Sequence, residues 1–172
     1  MNQKDRKLYE EMIGGFGMSL EKVSCGNDNC VCVTDSQHIV VNFDEFKKTI
    51  CQSAKSCDVF CVTGENDNWF LIEFKNGQVN RTDIYLKILE SLLLLMLHFG
   101  KDLQFVRDNV HVVLVYNKIQ CSRKSIMGAL AKLERKHLMK FLPVHFEGLY
   151  CHKVAEYEQE QFDVFLQKYG FE

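Results

Sequence analysis

Three residues whose side chains can hold a metal ion and act on a phosphate stand close together in the chain: Asp58, Glu73 and Lys75. Two apolar runs on either side of polar residues 65–68 predict a β-hairpin. If those four residues form the loop, Asp58 lies opposite Lys75, and Phe60 lies opposite Glu73. Because side chains alternate along a strand, the three charged residues are expected on one face of the hairpin.

Metal-dependent hydrolysis of a phosphodiester is the chemistry that this trio suits. Carboxylate oxygens bind Mg²⁺ or Mn²⁺, which usually keep several waters and a substrate phosphate. Lys75 is placed to orient a water molecule or to offset charge that builds on the phosphate. The alternative is an exposed charge pair on a sheet face. Glu73 favours the metal site, because it stands inside an apolar run where an unpaired carboxylate is costly.

The elements that would position the trio follow from the apolar pattern, and the convergence depends on the hairpin register. That register pairs Gly64 with Trp69, and a slip of one residue would move one strand's side chains to the other face. The pattern predicts an α/β domain with helices over 4–13, 42–50, 83–99, 122–137 and 158–168, and strands over 22–25, 30–33, 39–41, 110–116 and 148–154.

Asp58, fourteen intervening residues and then Glu73-Phe74-Lys75 resemble the signature of the PD-(D/E)XK nuclease superfamily. The resemblance covers about residues 40–140. It implies a restriction-endonuclease-like fold, a central mixed β-sheet flanked by helices, built as helix, three-stranded meander, helix and strand. It also implies a Mg²⁺- or Mn²⁺-dependent nuclease that cuts DNA, with Asp58 and Glu73 as metal ligands and Lys75 as a catalytic residue. The alternative is a module of the same fold that has lost its reaction and binds protein or nucleic acid.

The chain departs from the superfamily's pattern in several places. Cys57 stands where a proline often precedes the Asp, and Gln78 and Tyr85 do not reproduce the spacing of exonuclease-like members. Many members take a further acidic ligand from the first helix. Glu45 is the candidate for that role and Asp44 its rival, although both also suit the first turn of a helix.

A basic segment gives the best indication of a nucleic-acid partner. Residues 118–140 hold seven basic side chains and one acidic side chain, whereas residues 141–172 hold two basic and six acidic ones. A basic helix near the carboxylates would attract a phosphate backbone, and a solvated helix face is the equal alternative. The candidate nucleic-acid-binding residues are Arg123, Lys124, Lys132, Arg135 and Lys136.

Length and composition predict one domain over residues 1–172, with a β/helix addition before the nuclease-like core and a strand–helix addition after it. An apolar content of 47% is typical of a globular protein and excludes a disordered one. The charged start with no apolar signal core predicts a cytoplasmic location. The leucine run at 92–97 is too short to cross a membrane. The additions leave a homodimer and a partner protein both open.

Eight cysteines are expected to be reduced thiols in that compartment. Cys25, Cys30 and Cys32 form the only cluster, and no second pair of ligands at zinc spacing accompanies them. A cysteine-ligated zinc or redox protein is therefore the third hypothesis.

Overall fold

The computed structural model describes residues 1–25, 32–63, 68–76, 79–117, 141–142 and 144–171. The helices within these ranges are α1 (Gln3–Phe16), α2 (Leu20–Ser24), α3 (Phe43–Lys47), α4 (Arg81–Phe99), α5 (Leu103–Asn109) and α6 (Gln159–Tyr169), with a 3₁₀ turn at Val144–Phe146. The strands are β1 (Gly17–Ser19), β2 (Ile39–Asn42), β3 (Val59–Thr63), β4 (Asn68–Lys75), β5 (Val110–Tyr116) and β6 (Lys153–Glu158).

The described strands form one six-stranded mixed sheet in the order β1-β2-β3-β4-β5-β6. The pairs from β1 to β4 are antiparallel, and β4, β5 and β6 run parallel. Parallel neighbours need a crossover between them, and α4 and α5 supply it between β4 and β5. The predicted α/β class with a mixed sheet flanked by helices is confirmed.

Helix α4 is the longest described helix, and its ends follow from local sequence. The Asn80 side chain accepts from the Asp83 N–H at 3.3 Å and caps the start. Gly100 ends the helix with φ +62°, a left-handed conformation that glycine adopts without strain. The apolar residues between them bury one side against the sheet. None of the described helices combines the length and apolarity that a bilayer crossing requires.

The hairpin of β3 and β4 forms, but the predicted register is wrong. Thr63 pairs with Asn68 and Phe60 pairs with Leu71, so the connection is residues 64–67 instead of 65–68. Phe60 was expected opposite Glu73, which means that β4 is displaced by two residues along β3. A displacement of two leaves every side chain on its expected face, because the strand period is two.

The sheet separates two layers of core. The α4 face of the sheet carries side chains such as Phe60, Leu71 and Leu114, which pack with α1, α3, α4 and α5. The α6 face carries the alternating residues, among them Phe70 and Ile72, which pack with α2 and α6. Strands β4 and β5 are buried on both faces, as expected for parallel strands covered by helices.

The terminal additions agree only in part with the sequence. Helix α1 continues through Gly14 and Gly15, where it was expected to end, and side chains added at either position would meet no atom within 4 Å. The predicted strand over 22–25 is wrong: it lies largely in α2, because short apolar stretches carry too little periodicity to separate helix from strand. The late strand begins at Lys153 and not at Gly148, which has φ +68° in a turn.

Predicted helix 122–137 lies outside the described residues, as do residues 30 and 31 of predicted strand 30–33. The other two residues of that strand, Cys32 and Val33, are described and form no strand. The helix expected over 42–50 is the shorter α3, whose start is capped by the Asn42 side chain accepting from the Glu45 N–H at 3.2 Å. Strand β5 spans the predicted residues 110–116. Its Val-rich pattern, buried along nearly its whole length, explains why this element was the easiest to predict.

Candidate active site

Glu73 is a buried carboxylate in the middle of the sheet. Its strand, β4, lies between β3 and β5, and the residue pairs with Leu114 of β5. Neighbours Ile72 and Phe74 point to the α6 face, so Glu73 points to the α4 face. Only 1% of the side chain is exposed. A carboxylate at this depth requires compensating charge or hydrogen bonds.

Asp58 reaches the same face from the residue just before β3. Its Oδ2 accepts from the Phe74 N–H at 2.6 Å, and its carbonyl accepts from the Phe43 N–H at 2.9 Å. The preceding residue is held as well, because the Cys57 N–H donates to Ser91 Oγ of α4 at 2.8 Å. These backbone contacts fix the aspartate beside β4, with 18% of its side chain exposed.

Two lysines meet the carboxylates. Lys75 Nζ lies 2.6 Å from Glu73 Oε1, as the shared strand face predicts. Lys87 Nζ lies 2.7 Å from the same oxygen and 3.4 Å from Asp58 Oδ1. The four side chains, Asp58, Glu73, Lys75 and Lys87, are called the charged quartet below. Their exposure of 20% or less places them at the edge of the core.

The sequence did not lead us to predict Lys87 as a site residue. A signal was present, because Lys87 is three residues after Ile84 and four before Ser91, and both are fully buried on α4. Residues at these spacings share a helix face, so Lys87 had to point toward the sheet. A lysine on a core-facing stripe needs an anionic partner, and the carboxylates on the facing strand supply it.

Burial sets the protonation tendencies of the quartet. Burial, and then the neighbouring Asp58 carboxylate, raise the pKa of Glu73 to about 7, against the two lysines. Burial also raises the pKa of Asp58, although Lys87 and the Phe74 N–H oppose it. Burial alone would lower the pKa of Lys87, but the Asp58 and Glu73 carboxylates outweigh it and hold that pKa above its ordinary value. Burial thus disfavours the charged forms of both carboxylates, whereas their charges favour the ammonium form of Lys87.

One oxygen of Glu73 shows how a metal ion would fit. Oε1 forms ion pairs with both lysines. Oε2 is buried and has no hydrogen-bond partner among the described residues. A buried carboxylate oxygen without a partner is costly, and a divalent cation would satisfy it. The described part of the chain holds no group of three or more acidic, His or Cys side chains arranged for a metal. Mg²⁺ commonly uses one or two carboxylates together with substrate phosphate, so Asp58 and Glu73 fit that mode.

Glu45 and Asp44, the two candidates for a third acid, lie in different surroundings. Glu45 is exposed, and its Oε1 pairs with Lys48 Nζ at 2.6 Å. Asp44 is half-buried, accepts from Ser56 Oγ at 2.5 Å, and its charge contributes to the raised pKa of Asp58. The structure thus brings Asp44 toward the quartet and turns Glu45 to solvent. The assignment of Glu45 to a metal stays a prediction.

The five candidate nucleic-acid-binding residues lie outside the described residues, within 118–140. Arg123, Lys124, Lys132, Arg135 and Lys136 therefore stay predictions of the sequence. The same holds for the contact between a basic helix and the carboxylates.

Among the six cysteines that the structure describes, one pair differs from the expectation of reduced thiols. Cys25 and Cys32 form a disulfide, whereas Cys51, Cys57, Cys61 and Cys151 are free. Because sulfurs joined to each other are not thiolate ligands, this state is incompatible with zinc held by both residues. Burial raises the pKa of the Cys57 and Cys61 thiols, which makes them poor nucleophiles.

Comparisons of the chain with protein-family models, with curated proteins and with solved structures find no match.

Proposed function

We propose that the chain is a metal-dependent nuclease that hydrolyses phosphodiester bonds, with DNA as its substrate. One observation carries the proposal: Asp58, Glu73 and Lys75 converge on one face of the sheet, and a buried oxygen of Glu73 lacks a partner among the described residues. A purely structural ion pair gives no reason for that oxygen. A cation that bridges the two carboxylates does.

The topology around the site supports the proposal. Strands β2, β3 and β4 form an antiparallel meander, and α4 then leads to the parallel strand β5. This is the order that the resemblance to the PD-(D/E)XK superfamily implies. Asp58 stands at the start of the meander's second strand, and Glu73 and Lys75 stand on its third. The restriction-endonuclease-like fold is therefore part of the proposal.

Each residue has a defined task in this account. When bound, a Mg²⁺ or Mn²⁺ ion supplies Lewis-acid polarisation of the phosphodiester and activation of the attacking water. Asp58 and Glu73 are the residues that would hold the ion. Lys75, with 20% of its side chain exposed, can face both Glu73 and solvent. It orients the water and offsets the charge that develops on the phosphate.

DNA is proposed because the family that the chain resembles mostly cuts DNA, and that part of the proposal rests on analogy alone. The experiment is cleavage of supercoiled plasmid and of single-stranded oligonucleotides with Mg²⁺ or Mn²⁺. Glu73→Gln and Lys75→Ala are each expected to slow cutting by about 100-fold or more. Lys7→Ala and Glu11→Gln, which break an exposed ion pair on α1, are the matched controls and are expected to cut normally.

Each possible result of the cleavage experiment leads to a different conclusion. Loss of cutting in both site variants, with the fold retained by circular dichroism, supports a nuclease with this site. Cutting that survives both substitutions assigns the activity to a contaminant and contradicts the site. A parent chain that cuts no substrate with either metal contradicts the nuclease proposal for the isolated chain.

A second function is favoured by Lys87. Its ammonium already lies between Asp58 and Glu73, so the carboxylates have a cationic partner without a metal ion. This arrangement suits a module of the same fold that binds protein or nucleic acid without catalysis. Metal binding at Asp58 and Glu73 separates the two functions, because the binding module does not need it.

A further inference from the structure

We infer that Lys87 is a resident counter-cation that competes with the divalent metal ion for Asp58 and Glu73. The inference rests on the proposed function, since it describes how the same site takes up its metal. It makes Lys87 a positioning residue: it holds the two carboxylates together before the ion arrives and gives up its place when the ion binds.

The contacts of Lys87 place its ammonium between the two proposed metal ligands. Nζ lies 2.7 Å from Glu73 Oε1 and 3.4 Å from Asp58 Oδ1. The other oxygen of Asp58 is already engaged by the Phe74 N–H at 2.6 Å. The aspartate oxygen that remains for a metal is therefore the one that faces Lys87. An ion that binds Asp58 Oδ1 competes with the ammonium for that oxygen.

Charge leads to the same conclusion. The quartet holds two carboxylates and two ammonium groups, which balance one another. Adding a divalent cation without moving a lysine would leave an excess of two positive charges at a partly buried site, which is unfavourable. Lys75 lies on the same strand as Glu73, two residues away. Lys87 comes from a different element and contacts both proposed metal ligands, so it is the cation that the ion is expected to displace.

The position of Lys87 also explains why the site holds its shape without metal. Two carboxylates brought together at low exposure repel each other, and removing their counter-charge from a buried site is destabilising. Lys87 enters from α4, whose Ser91 also accepts from the Cys57 N–H. Thus α4 positions both Asp58 and the ammonium that stabilises it.

The test is a titration of the full chain with Mn²⁺ alone, following free Mn²⁺ by electron paramagnetic resonance. Lys87→Gln removes the charge and keeps a hydrogen-bond donor for Glu73. It is expected to bind Mn²⁺ at least about tenfold more tightly than the parent chain. Lys87→Met serves as a second variant that also lacks the charge. Lys55→Gln is the matched control, because it removes a lysine of the Asp83 ion pair outside the quartet, and its affinity should equal that of the parent.

A second readout is thermal unfolding with and without Mn²⁺. Lys87→Gln should unfold at a lower temperature than the parent chain in chelator, and Mn²⁺ should raise its unfolding temperature more than it raises the parent's. This readout does not depend on cleavage.

The other possible results of the Mn²⁺ titration contradict either the competition by Lys87 or the metal-dependent function. A parent chain that binds Mn²⁺ together with a Lys87→Gln variant of equal or weaker affinity overturns the competition and leaves the nuclease proposal standing. Equal tightening by Lys55→Gln and Lys87→Gln also overturns it, because the effect is then one of overall charge. If neither the parent nor Lys87→Gln binds Mn²⁺, both the inference and the metal-dependent function fail.

Discussion

Both faces of strand β4 bury apolar side chains, but the α4 face also buries a carboxylate. On the α6 face, Phe70 and Phe74 pack edge to face against the aromatic rings of α6, at centroid distances of 5.4 Å from Phe165 and 5.6 Å from Phe162. On the α4 face, Leu71 is followed by Glu73, a buried carboxylate that needs two lysines from two elements. Both faces gain free energy from apolar burial, whereas the charges on the α4 face stabilise the fold little. Under the proposed function, the charged quartet serves chemistry and the aromatic face serves stability.

The largest effect is expected from a truncation on the α6 face. Phe70→Ala should lower the free energy of unfolding by about 3–5 kcal/mol, because it removes a fully buried ring that contacts several other aromatic rings. Urea unfolding followed by circular dichroism measures it. Mn²⁺ binding in the folded state should not change. A loss below about 1 kcal/mol would remove the contrast between the faces.

A smaller loss of folding stability is expected at low pH, and it comes from His111 on the α6 face. Burial, with help from His152 and Lys153, lowers the pKa of His111 to about 4 from 6.5. Between these values the unfolded chain binds the proton more readily than the folded one. The contribution of His111 to stability is therefore fully present above about pH 6.5 and is lost as the pH falls toward 4.

His111→Gln, which has no charge to gain, should show this directly. The parent chain should lose about 1–3 kcal/mol more stability than the variant between about pH 7 and pH 4.5. Urea unfolding of both proteins at the two pH values is the measurement. Parallel losses in the two chains would show that folding does not shift the pKa of His111.

The smallest effect on stability is expected at Glu73 itself. Glu73→Met removes one partner of a buried ion pair, a change that is costly mainly where it leaves a buried charge without a partner. Lys75 can then turn to solvent, and Lys87 retains Asp58. Urea unfolding in chelator should thus give a value equal to or above that of the parent chain, whereas Mn²⁺ binding should be lost. Destabilisation as large as that of Phe70→Ala would instead make Glu73 a structural residue.

Elements with long, consistent apolar patterns could be predicted from the sequence. Helix α4 and strand β5 lie where the apolar pattern predicted them, because each pattern is consistent over many residues. The shared face of Asp58, Glu73 and Lys75 could also be predicted, because an even displacement of the register does not change it. The register itself could not be predicted. Residues 64–67 contain no pair that specifies a two-residue turn.

Features that depend on distant contacts escaped sequence reasoning. Lys87 meets Glu73 only because α4 folds back across β4, and the disulfide joins Cys25 to Cys32 among three clustered cysteines whose spacing does not fix the pairing. Segment 22–25 was misassigned because so short a stretch carries little periodicity. Its Ser24 is held by tertiary contacts, accepting from the N–H groups of Val33 and Thr34.

The most direct test of the metal site is a crystal structure of the chain soaked in Mn²⁺, with anomalous scattering used to locate the ion. The account predicts an anomalous peak about 2 Å from Asp58 Oδ1 and from a carboxylate oxygen of Glu73, with Lys87 withdrawn from its position between them. A map without a peak at the quartet, with Lys87 still bridging Asp58 and Glu73, would contradict the metal-dependent nuclease and leave a binding module in its place.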